Sequence, residues 1–357
     1  MKIERVELTT LIGETTDGRR APLFGVARVR TDDGATGIGR FYAPHRALIE
    51  EALVPLLIGQ DPLNTERLWE RMYALAGAVG RDARAVVGAI GGLDIALWDL
   101  KGRILGCPVH RLLGGFRDEI PAYADGGMFG RGPRGHAEWS ARQVTSGFEA
   151  VKYHVMGEDP DQIVETVRQI RQAVGPDVRV MVDVHKLWDP WIGVAAARRL
   201  EQYDVYWLEE PIRWDDQVEG MAILAAGTRI MLAAGESEYT LYACRDLVER
   251  AGIRVLQTDI LSAGGYTAWL RMAAVAQAHH VRIAPHGASF PELTAPLQAA
   301  LPNGLIVSAF PAGEPIEIWS RLYREPIALR DGLITLTDRP GLGLELDDEF
   351  IRSRQAD

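Results

Sequence analysis

The sequence predicts an α/β fold in which a (β/α)8 barrel follows a separate N-terminal unit. Two observations support this. From about residue 120 the chain alternates short β-branched runs with longer amphipathic helical segments, and there are eight such runs. The chain of 357 residues is also longer than a barrel requires, which leaves about 115 residues before it and a tail after it.

The N-terminal unit shows strand and helix patterns in turn. Residues 1–8 alternate charged and apolar side chains, which predicts a first strand rather than a signal peptide. Helical periodicity follows over 43–57, 65–76 and 83–105. Segment 11–22 is polar and contains glycine, so we predict a mobile loop there.

The barrel strands are predicted from apolar runs separated by helical segments such as 160–174 and 241–251. The eight runs are 120–124, 150–155, 178–184, 205–208, 230–234, 253–258, 281–284 and 305–308. The tail, from about 310, is predicted to pair back onto the first unit.

Composition excludes several classes of protein. The formal net charge is −10 and no basic run is present, which argues against nucleic acid as a partner. A membrane span needs about 18 uncharged apolar residues in a row, and no stretch of the sequence approaches that length. Two cysteines, Cys107 and Cys244, cannot build a disulfide framework and fit a reducing cytoplasm. An anionic small substrate stays compatible with the acidic balance if a metal or lysines reverse the field in the pocket.

Polar residues follow six of the predicted strands at the ends where barrel chemistry takes place. Successive positions lie 23–31 residues apart, the length of one βα unit, so we expect them to converge on one pocket. The residues are Lys152 and His154, Asp183 and His185, Glu209 and Glu210, Glu236, Asp259, and His286.

Acids on three adjacent strands predict a metal site. One acid after a strand usually caps the next helix, but three facing one another need a cation. Oxygen-only ligands favour Mg²⁺, with Mn²⁺ as the alternative, over zinc. Asp183 and Glu236 are two of the candidates, and the third is Glu209 or Glu210. Those two are neighbours on one strand, so only one faces the pocket, and spacing leaves the choice open.

The remaining polar residues predict acid/base chemistry. Lys152 and His154 are two apart and therefore point to the same side of their strand. Asp259 and His286 follow adjacent strands, where the carboxylate can orient and charge the imidazole. His185 shares the face of Asp183.

Several segments of the chain resemble the enolase superfamily, specifically its mandelate racemase-like group of acid-sugar dehydratases, over nearly the full length. These segments are 57–62, 89–102, 112–115, 207–211 and 340–343. The resemblance implies an α+β capping domain, formed by residues 1–115 and about 325–357, over a barrel at 116–324. It also implies that Asp183, Glu209 and Glu236 bind Mg²⁺ and that Asp259 and His286 form an acid/base dyad.

Three positions, on the second, third and eighth barrel strands, depart from the common pattern of that group, and a fourth position, residue 262, argues against two other groups of the superfamily. The second barrel strand carries Lys152-Tyr153-His154 where Lys-x-Lys is frequent. On the third strand, His185 replaces the asparagine of the racemase and resembles the histidine that protonates the departing hydroxyl in sugar-acid dehydratases. Ser308 stands where an eighth-strand glutamate is frequent. Ser262 replaces the lysine that would point to muconate cycloisomerases or dipeptide epimerases.

The resemblance implies a Mg²⁺-dependent dehydratase of a sugar acid that forms a 2-keto-3-deoxy acid. Lys152 would hold the substrate carboxylate, with Ser308 also binding substrate. His154 or His286 would take the α-proton, and His185 or His286 would protonate the leaving hydroxide.

The alternatives are a racemase or epimerase, a lactone cycloisomerase, and a non-catalytic metal-binding member. We expect the cap, including Arg19 and Arg20 of segment 11–22, to set specificity. We further expect a small anionic substrate, no nucleic-acid or membrane partner, a cytoplasmic location and a homo-oligomer.

Overall fold

The computed structural model describes residues 1–14, 20–127, 131–287, 290–312 and 321–356. The strands are β1 Ile3–Glu14, β2 Arg20–Thr31, β3 Thr36–Tyr42, β4 Glu119–Gly127, β5 Ala150–His154, β6 Arg179–Asp183, β7 Val205–Glu209, β8 Met231–Ala234, β9 Val255–Leu256, β10 Arg282–Ile283, β11 Val307–Ala309, β12 Ala328–Arg330 and β13 Leu333–Thr335. The helices are α1 Arg46–Leu48, α2 Val54–Leu57, α3 Thr65–Tyr73, α4 Ala83–Leu105, α5 Val109–Leu112, α6 Gly132–Thr145, α7 Pro160–Val174, α8 Pro190–Leu200, α9 Glu219–Gly227, α10 Leu241–Arg250, α11 Gly265–Ala278, α12 Pro291–Ala300 and α13 Asp348–Arg354. A π-helical turn, Ile49–Leu53, joins α1 to α2.

Strands β4 to β11 form the predicted (β/α)8 barrel. Each strand from β4 to β9 pairs in parallel with the next, and β11 pairs in parallel with β4. A bridge between Ile283 and Gly304 joins β10 to the residues before β11 and completes the ring. Helices α6 to α12 lie between consecutive strands. No helix of the described residues is long and apolar enough to cross a membrane.

One layer of inward-facing side chains fills the barrel below its C-terminal mouth. These residues are buried against one another: Tyr123, Ala150, Met181, Trp207, Ala233, Val255, Ala284 and Ile306. Because side chains alternate along a strand, the residue two positions further on faces the same interior, closer to the mouth. This layer therefore fixes which residues enter the pocket.

An antiparallel sheet of β1, β2 and β3 packs on the long helix α4. The contact is backbone to backbone, since a Cβ on Gly39 would lie 2.1 Å from the carbonyl oxygen of Gly92. Helix α4 begins at the Asp82 cap, whose carboxylate accepts hydrogen bonds from two amides, and ends at Gly106 with φ 63°. The prediction of one helix over 83–105 is confirmed.

The predicted loop at 11–22 is wrong at both of its ends. β1 continues to Glu14 and β2 begins at Arg20, with Leu11 paired to Phe24. Leu11 is buried, so the hairpin has an apolar inner face that its polar composition conceals. Arg20 lies in the ladder and is exposed, whereas Arg19 lies outside the described residues.

The tail contacts both the barrel and the N-terminal unit. β12 and β13 form a hairpin, and Ile334 of β13 pairs with Ile120 of β4. Further on, the amide of Leu342 donates to Asp99 of α4 at 2.7 Å. The amide of Ala356 donates to the carbonyl of Thr10 at 2.9 Å.

Candidate active site

The predicted polar residues lie at the C-terminal mouth of the barrel. Strand register places His154 beside Asp183, and Asp183 beside Glu209. Glu236, Asp259 and His286 follow β8, β9 and β10, the next three strands of the ring. The six strand ends therefore meet around one pocket, as the spacing predicted.

Glu209 is the glutamate that faces the pocket. It lies two residues after Trp207 of the buried layer and shares its side of β7. One carboxylate oxygen accepts from Lys152 Nζ at 2.8 Å. The other accepts from Trp207 Nε1 at 3.1 Å and from Gln257 Nε2 at 3.0 Å.

Glu210 points the other way and organises the end of the next strand. Its carboxylate accepts from the amides of Gly235 at 2.8 Å and Glu236 at 3.1 Å. Gln217 Nε2 donates to its second oxygen at 3.0 Å. Burial, with the nearby charge of Glu236, raises the pKa of Glu210 to about 7. Its side chain therefore fixes the backbone that carries Glu236.

Lys152 is 2% exposed and sits among three carboxylates. Its Nζ lies 2.8 Å from Glu209 Oε1, 3.3 Å from Asp125 Oδ2 and 3.8 Å from Asp183 Oδ2. Burial alone would lower the pKa of Lys152, but these carboxylates outweigh burial and raise it well above its usual value. The ammonium is therefore charged.

Asp125, at the end of β4, is a site residue that the sequence analysis missed. It accepts from His154 Nε2 at 2.5 Å and from Ser308 Oγ at 2.6 Å. Burial would raise the pKa of Asp125, but the charges of Lys152 and His154 hold it below its usual value. The available signal was Tyr123 of the buried layer, two residues earlier, but the predicted strand ended at 124.

His154 and His185 stack beside Asp183. His154 Nδ1 lies 3.2 Å from both Asp183 Oδ2 and His185 Nε2, and His185 Nε2 lies 3.1 Å from Asp183 Oδ2. His185 Nδ1 donates to the carbonyl of Val155 at 2.8 Å. Burial would lower the pKa of His154, but the carboxylates of Asp125 and Asp183 together outweigh burial and raise it to about 9. One end of the pocket thus carries two imidazoles that are each held at two points.

Asp259 and His286 form the predicted pair at the other end of the pocket. His286 Nδ1 donates to Asp259 Oδ2 at 3.0 Å, and Asp259 Oδ1 accepts from the amides of Leu261 and Ser262. The His286 side chain is 41% exposed, and its Nε2 lies 3.6 Å from Glu236 Oε2. Partial burial would lower the pKa of His286, but Asp259 and Glu236 together raise it to about 9.

Tyr42 brings the N-terminal sheet into the site. This residue ends β3, and its hydroxyl donates to Asp259 Oδ2 at 2.9 Å, the same oxygen that binds His286. The sequence analysis missed Tyr42 because the contact joins residues 217 positions apart. No local pattern in β3 signals such a partner.

Lys186 is a further residue that the prediction missed. Its ammonium contacts the carboxylate of Glu236 and also acts electrostatically on Asp183. The backbone turns sharply there, because His185 has φ 51° and Lys186 has φ 62°, both in the left-handed region. That turn directs two consecutive side chains toward the mouth of the barrel.

The predicted metal ligands have suitable chemistry, although lysines neutralise them in this arrangement. Asp183 and Glu209 both contact Lys152, and Glu236 contacts Lys186. Three carboxylates at adjacent strand ends are the donor set that a hard divalent cation prefers. Within the described residues, the group with ligand atoms all within 4.8 Å of one another is instead His154, Asp183 and His185.

Comparison with known families agrees with this architecture. Residues 136–350 match the domain described as "Enolase C-terminal domain-like". Residues 14–114 match the N-terminal domain of mandelate racemase and muconate lactonizing enzyme. The fold and the mouth of the barrel thus define an enzyme of the enolase superfamily. Within it, the chain belongs to the mandelate racemase/muconate lactonizing enzyme family, as its motifs predicted.

Similar proteins include both dehydratases and cycloisomerases. A 3,6-anhydro-alpha-L-galactonate cycloisomerase from Streptomyces coelicolor is 31% identical, over 97% of this chain and 95% of the relative. A D-galactonate dehydratase from Verminephrobacter eiseniae is 33% identical, over 97% of this chain and 94% of the relative. A solved family member from a marine actinobacterium, in complex with magnesium, is 30% identical with a TM-score of 0.91, covering 100% of this chain and 99% of that chain.

Proposed function

We propose that this protein is a Mg²⁺-dependent dehydratase of a sugar acid. It removes the proton α to the substrate carboxylate and eliminates the β-hydroxyl, giving a 2-keto-3-deoxy acid. The observation that carries the proposal is the placement of two histidines. His185 follows β6 and His286 follows β10, and these strands are four apart in a ring of eight. The pocket therefore has an imidazole from each of two opposite strands of the ring, so that one can act as base and the other as acid.

Asp183, Glu209 and Glu236 are the residues that would hold the metal ion. Their carboxylate oxygens suit Mg²⁺, with Mn²⁺ as the alternative. The magnesium complex of a structural neighbour supports Mg²⁺ as the metal ion. When bound, Mg²⁺ supplies positive charge that stabilises negative charge developing on the substrate carboxylate.

The residues of the chain then divide the proton transfers. The Lys152 ammonium holds the substrate carboxylate. Asp259 fixes Nδ1 of His286, and the unprotonated form of the ring, whose share grows as pH approaches the raised pKa of about 9, accepts the α-proton at Nε2. The electron pair of the C–H bond forms a C=C bond. As the β-C–O bond breaks, His185 donates a proton to the departing hydroxide, and the resulting enol tautomerises to the keto acid. His154 is the weaker base candidate because Asp125 and Asp183 contact its two nitrogens.

The test is a panel of stereochemically defined sugar acids, incubated with Mg²⁺ and assayed for 2-keto products. We expect a keto acid from at least one substrate and loss of turnover by about 10³-fold in His286→Asn. In D₂O, His185→Asn should retain exchange of the α-proton while losing elimination. His279→Asn, an exposed histidine outside the pocket, is the control.

Exchange of the α-proton with no keto acid from any member of the panel would contradict the proposed dehydration. Chelation of the metal with EDTA should abolish turnover, and added Mg²⁺ should restore it. Turnover that persists in EDTA would contradict the metal-dependent part of the proposal.

A lactone or anhydro-sugar cycloisomerase is the second candidate. The relative named a cycloisomerase favours it, since α-proton removal could serve that reaction too. A cycloisomerase product keeps the mass of its substrate, whereas a dehydratase product loses one water. A racemase or epimerase would invert the α-carbon without loss of water, and a non-catalytic member would show neither exchange nor product.

We propose that residues 1–115 and about 325–357 form the cap over a barrel at 116–324, with Arg19 and Arg20 among the residues that set specificity. Ser308 stays a predicted substrate contact. A small anionic substrate, a homo-oligomer and a cytoplasmic location complete the proposal.

A further inference from the structure

A second Asp–His pair lies at the end of the pocket where β4 and β5 meet. Asp125 is 4% exposed, and its carboxylate has a partner on each oxygen. Oδ1 accepts from His154 Nε2 at 2.5 Å. Oδ2 accepts from Ser308 Oγ at 2.6 Å and lies 3.3 Å from Lys152 Nζ. The carboxylate thus joins three strands, β4, β5 and β11.

These contacts determine how the His154 ring is turned. With Nε2 on Asp125, Nδ1 faces Asp183 and His185 at 3.2 Å. A half-turn of the ring would place carbon atoms against the carboxylates in a site that is almost closed to water. Breaking two such contacts without replacement is costly, so one ring orientation is fixed.

The same carboxylate also determines where the Lys152 ammonium sits. Glu209 and Asp183 attract the ammonium from one side at 2.8 and 3.8 Å. Asp125 attracts it from another strand at 3.3 Å. Loss of Asp125 would leave the ammonium to the two carboxylates on that side and would move it away from β4.

We propose that Asp125 is a positioning residue of this active site, which fixes the ring of His154 and the ammonium of Lys152. Ser308 holds the Asp125 carboxylate in place and therefore contributes to the same positioning. Asp125 acts through these two side chains and is assigned no contact with substrate. The kinetic consequence rests on the proposed function, whereas the placement of His154 does not.

The first test observes His154 directly in the substrate-free protein. Protein with ¹⁵N-labelled histidine is prepared as wild type, Asp125→Asn and Ser308→Ala, and His154→Gln identifies the signals of His154. We expect Asp125→Asn to shift both ring-nitrogen resonances of His154, and Ser308→Ala to shift them less in the same direction. Asp177→Asn removes an exposed acid elsewhere in the chain and should leave them unchanged.

The second test separates binding from turnover with the sugar acid that wild type converts. A displaced Lys152 weakens the hold on the substrate carboxylate in both ground state and transition state, so Asp125→Asn should raise KM at least fivefold and lower kcat by a smaller factor. Thermal unfolding of each variant shows that the compared proteins are folded.

Unchanged His154 resonances in both folded variants would overturn the inference. So would a KM for Asp125→Asn within twofold of wild type. If no sugar acid is converted by wild type, the proposed function fails, and the resonance comparison still decides the role of Asp125. If Asp125→Asn does not fold, Ser308→Ala carries the same comparison.

Discussion

The barrel strands carry two inward-facing layers that differ sharply over a distance of two residues. The lower layer contains Met181 and Trp207, both apolar and fully buried. The upper layer contains Asp183 and Glu209, two positions later on the same strands. Lys152 follows Ala150 in the same way on β5.

The two layers differ in what makes burial favourable. Lower-layer side chains are stabilised by leaving water and by close packing. The charged groups of the upper layer lose hydration, and only their mutual contacts offset that cost. Trp207 connects the layers because its indole NH donates to Glu209 at 3.1 Å. The lower layer therefore sets the register, and the upper layer depends on charge balance within the pocket.

Removing the Lys152 ammonium, which lies among three carboxylates of the pocket, should have the largest effect. Lys152→Met leaves Asp125, Asp183 and Glu209 without their shared partner, so in EDTA we expect unfolding to require about 3–5 kcal/mol less. Turnover should fall by roughly 10³-fold because the substrate carboxylate loses its ligand. Chemical denaturation and steady-state kinetics measure the two effects.

Lys101→Met is the matched control for that substitution, since Lys101 lies over the ring of Trp98 outside the pocket. Wild-type stability in Lys152→Met would show that the upper layer does not depend on this ammonium. Added Mg²⁺ should recover part of the lost stability.

A cavity in the lower layer should affect stability far more than chemistry. Met181→Ala removes a fully buried side chain, and we expect a loss of about 3 kcal/mol in the free energy of unfolding. At temperatures where the variant is folded, kcat should stay within a few-fold of wild type. A loss of kcat as large as that of Lys152→Met would erase the functional distinction between the layers.

A buried acid with no cationic partner among the residues that the structure describes should respond to pH in the opposite way to Asp125. Asp94 is fully buried, accepts from Thr267, and burial raises its pKa from 3.8 to about 7. As pH rises, Asp94 ionises at about pH 4 in the unfolded chain but only at about pH 7 in the folded protein. The contribution of this group to the free energy of unfolding therefore falls as pH rises from about 4 to 7. When pH rises from 5 to 8, the free energy of unfolding should fall by about 2–3 kcal/mol less in Asp94→Asn than in wild type.

Denaturation of wild type and Asp94→Asn at the two pH values gives this difference, with Asp177→Asn as an exposed control. Equal pH dependence in wild type and Asp94→Asn would mean that Asp94 is ionised throughout. Burial without a cation would then not distinguish it from Asp125.

The smallest effect is expected from Tyr42, which contacts the barrel mouth from the N-terminal sheet. Tyr42→Phe removes one hydrogen bond to Asp259, so kcat should fall about fivefold to tenfold. Tyr73→Phe removes the hydroxyl of a tyrosine outside the site, whose ring stacks on Trp69 of the N-terminal unit, and serves as control. An unchanged kcat in Tyr42→Phe would mean that the chemistry depends on barrel residues and not on this contact from the N-terminal sheet.

The sequence was sufficient for the barrel and for most of its mouth because both follow local rules. Alternation and βα spacing located Lys152, Asp183 and the pair Glu209 and Glu210 on neighbouring strands, as the pairing shows. The same two-residue rule applied from Tyr123 would have found Asp125. The partners of Tyr42 depend on tertiary packing, which leaves no trace in local periodicity.

Segment 11–22 shows the opposite failure of a local rule. Its polar composition predicted a loop, but the hairpin register to Arg20 and the burial of Leu11 are fixed by the rest of the N-terminal sheet. The choice between Glu209 and Glu210 likewise needed the strand's orientation, which the contact of Glu209 with Trp207 and Gln257 reveals.

The contact between Thr10 and Ala356 has a consequence for the order of folding during synthesis. Thr10 of β1 accepts a hydrogen bond from the amide of Ala356, which is synthesised about 345 residues later. At 5–20 residues per second a ribosome needs roughly 20–70 s to cover that interval. Barrel strands that pair with near neighbours can assemble meanwhile, so we expect the N-terminal unit to reach its final packing only after Ala356 has emerged from the ribosome.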